Sequence, residues 1–529
     1  MTGVQTCALP ILAEFTNYGA ALRRFVMKDY KMWDGAEMQL IDWKAGKELS
    51  LFFTSKDGKP IDTRNLVFKS NYNGWDQVDI QKNPDYKLRF ELAIPDDSTS
   101  KIIFTYSFRP DAYDFNVEYE LYKPDSYISG SKYEVVWSNS LNLTEFRSDE
   151  EATFSEAFAY MGGELKTLTA SKVGEEVIEN LNGNTEYVSS RNKYFGVFLV
   201  PEGKKGEGAY LKGNRYPLPN DGVKCDYLIA IKNEIKKDTY EKSNFKVIIA
   251  PLDYSIIKSY GIDLQLTMRF ALDFIVRPIA QFAIIPFFSF LHSFIPNYGL
   301  VIIIFSIVLK IILNPLTSKQ MDSMKKMGQL QPKMTAIKEK YKDDPTKQNS
   351  MIMKMYKEEG INPMGGCLPM LLQLPILYAL FGVFRSTIEL RQADFIWWIK
   401  DLSAPDILFN LPFKIPVFGI DSISGVATLM GITMFIQQKM TVTDPKQKAM
   451  VYMMPILFTL LFFNFPSGLN LYYFVFNLLS IGQQIYTNKF KKQKPEDLIK
   501  IQNKPKKKSF FERLQDMAEE QRKSRNKRR

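Results

Sequence analysis

Residues 299–318 read GLVIIIFSIVLKIILNPLTS. From 299 to 316 the run is long and apolar enough to cross hydrocarbon as a helix. Its one charge, Lys310, costs about 2.5–3.5 kcal/mol at the centre of a span, so it needs a reason: either its stem snorkels past Asn314 and Pro315 toward the cytoplasmic interface, or it belongs to a polar face inside the span. Four more apolar stretches follow at 368–384, 420–437, 449–465 and 468–486, that at 420–437 with an onset as early as Ile415. Just upstream, 267–296 carries Arg269, Asp273, Arg277, Pro278 and Pro286 among its apolar residues. That mixture predicts an amphipathic helix at a membrane interface rather than a span. Residues 297–488 are therefore expected to form a core of five membrane-spanning helices.

The first half has a different period. Across 13–262, short alternating runs such as KIIFTYSFRP, FNVEYELY and NFKVIIAPLD are separated by turn clusters such as SKDGKP and PLPNDGVK. This predicts an all-β sandwich. Trp33, Trp43, Trp75 and Trp137 are expected in its core. Residues 1–12, MTGVQTCALPIL, have neither the basic region nor the length of a signal peptide or anchor. They are expected to be an atypical leader, a truncation or junction ahead of the module.

Charge is distributed by segment. The chain has 69 Lys plus Arg against 58 Asp plus Glu, net +11. Residues 1–266 hold 33 basic and 39 acidic residues, 267–488 hold 20 and 13, and 489–529 hold 16 and 6. Within the second half, 316–361 contains ten Lys and six acids, whereas 385–422 contains four basic and five acidic residues. Positive segments stay in the cytoplasm. The β-module is thus expected outside, with the 318–361 segment and the basic tail 489–529 inside. The tail suits anionic lipid and ribosomal RNA. In 318–361, Met327, Leu330, Met334, Ile337 and Tyr341 recur at helical spacing, Asp343–Pro345 breaks the pattern, and Ile352, Met355 and Tyr356 open a second arm. This predicts a helical hairpin.

Several chemistries are excluded. A lone His292 and three scattered cysteines, Cys7, Cys225 and Cys367, offer no metal or redox spacing. HExxH, GxSxG and phosphate-loop motifs are missing from the sequence. What remains is polar and lies inside the spans. Ser306, Lys310 and Asn314 share one helix face at i, i+4 and i+8. Asn470, Tyr473, Asn477, Ser480 and Gln484 form a stripe along the last span. Gln373 and Gln437 add amides from the second and third. Two polar faces without a carboxylate in the spans 299–316, 368–384, 449–465 and 468–486 suggest a wet concavity. A solute or ion transporter with such a cavity is the alternative, although coupling to protons or cations calls for intramembrane acids.

The segments GLVIIIFSIVLKIILNPLTSKQ, INPMGGCLPMLLQLPILYALF, ELRQADFIWWIKDLSAPD and FPSGLNLYYFVFNLLSIGQQ resemble the YidC family of membrane protein insertases, in the form with a large periplasmic domain. The resemblance covers most of 280–490. It implies a bacterial inner-membrane protein with a periplasmic β-sandwich like those of sugar mutarotases and no enzymatic activity. It further implies a hydrophilic groove open to the cytoplasm, whose cation attracts acidic residues of a nascent chain. Lys310 matches the groove position usually held by Arg, Ser306 a polar position one turn earlier, and Tyr472 with Tyr473 the substrate-contacting aromatic pair. Nascent membrane proteins, the ribosome, signal-recognition machinery and the Sec translocon are the partners implied.

Overall fold

Strict alternation builds the first half. In Asp114–Tyr122, Phe115, Val117, Tyr119 and Leu121 point into the core while the residues between them are less buried, which is the period-two pattern of a strand with one wet face. The computed structural model describes residues 3–8, 10–41, 46–72, 77–95, 97–236, 239–268, 273–359, 368–441 and 448–490. It divides into two compact units. One comprises Met1–Ala271 with Ser386–Gln392, the other Leu272–Arg385 with Ala393–Arg529.

The first unit contains a five-stranded and a fourteen-stranded sheet that share one apolar core. Phe15 of the smaller sheet lies 4.4 Å from the ring of Tyr106 in the larger, and the Tyr106 hydroxyl donates to the Ala20 carbonyl at 2.7 Å. The sheets begin before residue 13. Ile11–Thr16 is already a strand, paired antiparallel with Gly3–Ala8, and Ile11 is buried. Trp137 is buried as expected, but Trp33 is 52% exposed and packs at a tilt on Phe146, ring centroids 5.0 Å apart. Trp43 and Trp75 lie outside the described residues.

A short return of the chain completes this unit. Ile388 joins the core, and the buried Arg391 donates from Nε to Glu145 at 2.6 Å and from its terminal nitrogen to the Thr144 carbonyl at 3.3 Å. Glu389 faces Asp253, the N-cap of the helix Tyr254–Ser259. Burial, and then the negative charge of Asp253, push the Glu389 carboxyl up to about 7 from 4.5. Between those values the folded chain holds a proton that the unfolded chain has released, so stability falls as pH rises from 4.5 to 7 and stays lower above. The substitution Glu389→Gln is expected to stabilise the unit above pH 7 by about 1–2 kcal/mol after discounting for partial exposure, with no gain below pH 4.5. Thermal unfolding of both proteins across that range checks it.

The second unit is helical. It contains Asp273–Ile279, continued through a π turn into Ile285–His292, then Tyr298–Gln329, Gln331–Lys340, Pro345–Glu358, Leu368–Ser386, Gly425–Thr441, Lys448–Phe462 and Ser467–Phe490. Among the described residues two stretches, Phe274–His292 and Tyr298–Ser318, are long and apolar enough to cross a membrane. The first was expected to be amphipathic. Its buried side carries Val276, Ala280, Ile284 and Phe288, but its exposed side carries Phe274, Phe282 and Phe290 rather than charges.

Two boundaries of this unit differ from expectation. Tyr298–Gln329 runs 32 residues without a break, so the helical hairpin starts near Leu330 and not at 318. Its two arms meet through Leu330, Met334, Met355 and Tyr356, residues that the periodicity singled out. The stretch 420–424 is a strand, and the helix expected from 420 begins at Gly425. The tail 491–529 lies outside the described residues.

Candidate functional site

Helical spacing puts Ser306, Lys310 and Asn314 on one side of Tyr298–Gln329, and Ser467–Phe490 packs along that side. Lys310, 8% exposed, donates from Nζ to Ser480 Oγ at 2.7 Å and stands 4.7 Å from the centroid of the Phe476 ring. Ser480 in turn donates to the Phe476 carbonyl at 2.8 Å. The hydroxyl therefore turns its lone pairs to the ammonium. A cation over an aromatic face gains roughly 0.5–2 kcal/mol, which offsets part of the burial cost. Among the described residues no ion pair reaches Lys310, so its charge is solvated by a hydroxyl and a ring but not neutralised.

One turn further along, Gln483 Nε2 donates to Asn314 Oδ1 at 2.6 Å and to Ser318 Oγ at 3.1 Å. Asn314 itself is exposed. On the neighbouring helix, Thr433 accepts from Asn477 Nδ2 at 3.4 Å. The polar stripe of the last helix thus touches two helices at once, which fixes their rotation: interhelical hydrogen bonds in apolar surroundings are directional where Leu–Leu packing is not.

The expected residues do not all serve the same place. Ser306 is buried and its hydroxyl donates back to the Ile302 carbonyl at 2.7 Å. Asn470 caps the preceding helix through the carbonyls of Phe462 and Phe465, a structural task. Tyr472 is buried among Phe305, Phe476 and Tyr473, with Gln373 beside it. Tyr473 is half-buried and packs edge-on to Phe462 at 5.5 Å. Gln437 and Gln484 are half-buried, and it is Gln483, not Gln484, whose amide reaches Asn314.

Four participants went unread in the sequence: Ser318, Thr433, Phe476 and Gln483. Ser318 continues the i+4 series from Asn314, so that signal was there. The role of Phe476 was not readable, since nothing in a phenylalanine announces that a cation lies over it.

Two families of known proteins match most of the chain. The YidC periplasmic domain family matches residues 5–282 and the 60Kd inner membrane protein family matches 290–494. The membrane protein insertase YidC of Chloroherpeton thalassium is 40% identical over 500 residues, 93% of this chain and 84% of that protein.

The chain belongs to the YidC family of membrane protein insertases.

The YidC insertase of Chlorobium phaeovibrioides is likewise 40% identical, over 90% of this chain and 81% of its own. A crystal structure of an active YidC insertase overlaps at a TM-score of 0.38 and 22% identity, covering 91% of this chain and 92% of that one. The large all-β unit and the helical unit accord with membership of the YidC family, which is not a family of enzymes.

Proposed function

We propose that this protein inserts nascent membrane proteins into the bacterial inner membrane and assists their folding, by receiving polar parts of the nascent chain at Lys310. The observation that carries this reading is an ammonium held by Ser480 and Phe476 with no acid paired to it among the described residues. An acidic side chain arriving from a substrate supplies the missing partner. A carboxylate passing through hydrocarbon is stabilised most where a fixed cation already waits.

In this reading five helices span the membrane: Tyr298–Gln329 over its apolar part, Leu368–Ser386, Gly425–Thr441, Lys448–Phe462 and Ser467–Phe490. The helix from Asp273 lies along the outer interface with its exposed phenylalanines in the acyl region. The β-unit is periplasmic, and the hairpin Gln331–Glu358 is cytoplasmic, as is the basic tail. The lysine-rich loops support that orientation. Ser306, Asn314, Gln373, Gln437, Tyr472, Tyr473, Asn477 and Gln484 line or support the groove around Lys310. The ribosome, signal-recognition machinery and Sec translocon meet the cytoplasmic face, and anionic lipid meets the tail.

Photocrosslinkers placed at Ser306, Lys310 and Tyr473 are expected to capture ribosome-bound nascent chains as their acidic external segment passes. Capture from exposed control positions alone, with none from these three in a folded protein, overturns the groove.

A further inference from the structure

Between the helices Leu368–Ser386 and Gly425–Thr441 the chain forms a β-hairpin. Ile407–Ile415 pairs antiparallel with Ile420–Ser424 through a turn at 416–419. Its base is held firmly. The buried Asp406 accepts from Trp398 Nε1 at 2.8 Å, from Ser424 Oγ at 2.5 Å and from the Val426 amide at 2.8 Å. Asp406 thereby ties the hairpin to the first turn of the following helix. At the other end Asn464 Nδ2 donates to the Phe418 carbonyl at 3.0 Å and Ile420 is buried, but Val417 at the tip is 97% exposed, and Leu408, Phe409 and Phe413 are exposed along the first strand. Beside the base, Trp397 is 78% exposed and stacks on Trp398 at 5.7 Å.

Such a hairpin does not suit water. Two strands alone are marginal there, and this pair exposes apolar side chains with only Asn410 and Lys414 as polar side chains on its first strand. Nor does it suit the middle of the bilayer, because both outer strand edges carry unpaired backbone groups. The headgroup–acyl boundary meets both demands, with hydration for the edges, hydrocarbon for Phe413 and Val417, and the level at which tryptophans concentrate. Chain continuity fixes the level. Ser424 ends the second strand and Gly425 starts the helix, so no linker can lift the base away from the end of that span. Four steps at about 3.3 Å along the second strand, from Ser424 to Ile420, put the turn roughly 13 Å from the base.

We propose that the hairpin Ile407–Ser424 lies in the outer-leaflet lipid interface, with its tip at Val417 seated among the upper acyl carbons. Its placement in the outer leaflet rests on the orientation proposed above; its seating in lipid does not.

The test uses the full chain in liposomes, with Cys7, Cys225 and Cys367 changed to Ser and an environment-sensitive NBD probe attached to Val417→Cys. Phe413→Cys is the second position in case the tip variant folds poorly. Emission is expected to shift to the blue and to be quenched by lipids brominated high on the acyl chain, while aqueous iodide has little effect. Quenching by iodide instead overturns the proposal, and so does shielding from both quenchers, which identifies a protein partner on the hairpin. In intact cells opened only to the periplasm, Asp421→Cys is expected to react with a membrane-impermeant maleimide. Labelling only from the cytoplasmic side overturns the outer-leaflet assignment. Nascent-chain crosslinking is a separate readout, so the insertase reading stands or falls without this result.

Discussion

Lys310→Glu is expected to abolish insertion of substrates whose short external segment carries Asp or Glu, while Lys310→Arg retains it. At 4 Å and an effective dielectric of about 20, two unit charges interact by about 4 kcal/mol, and every 1.4 kcal/mol is roughly tenfold in an equilibrium. Reversing the sign at Lys310 turns that attraction into repulsion. Substrates with Asn and Gln in place of the acids should lose much less, which separates a charge effect from a folding defect. The protease-protected fraction in proteoliposomes measures both classes in one experiment. Equal insertion of acidic substrates by the wild type and Lys310→Glu would show that the ammonium has another task. Ser480→Ala is the milder companion: the hydroxyl acceptor is lost but the Phe476 ring remains, so a partial loss is expected.

The second large effect lies in the β-unit. Arg391→Met leaves Glu145 without the guanidinium that holds it at 2.6 Å and leaves the Thr144 carbonyl without that donor. Breaking a buried ion pair from one side costs about 3–5 kcal/mol, because the remaining charge is left uncompensated. Each kcal/mol lowers the melting temperature of a unit of this size by roughly 2–4 °C. The double variant Arg391→Met, Glu145→Gln should recover part of the loss, since neither side then carries a stranded charge. Calorimetry of the full chain resolves the outcome, and an unchanged transition in Arg391→Met would mean that the ion pair adds nothing to the unit.

The helices of the second unit were legible because long apolar runs admit few alternatives, and the methionine-rich hairpin because its spacing is strictly helical. The strands Ile407–Ile415 and Ile420–Ser424 were not. LPFKIPVFGI reads equally as the approach to a span, since short apolar stretches do not distinguish strand from helix by period. Pro412, Pro416 and Gly419 were the available warning. At the site, the face bearing Lys310 followed from i, i+4 spacing, but its partners did not. Which residue of the last helix meets Lys310 depends on the rotation and offset of two helices, and neither is written in either helix alone. Arg391 was opaque for a related reason: its partner Glu145 is 246 positions away.

That return of the chain through Ser386–Gln392 also bears on timing during synthesis. The bulk of the β-unit ends near Ala271, yet Ile388 and Arg391, which close its core and pair its buried acid, are made about 120 residues later. At roughly 5–20 residues per second that is a delay of about 6–24 s. During that interval the β-unit is a nearly finished fold with an open seam. It can close only after the helices Tyr298–Gln329 and Leu368–Ser386 have been synthesised, so completion of the β-unit follows synthesis of the first helices of the core.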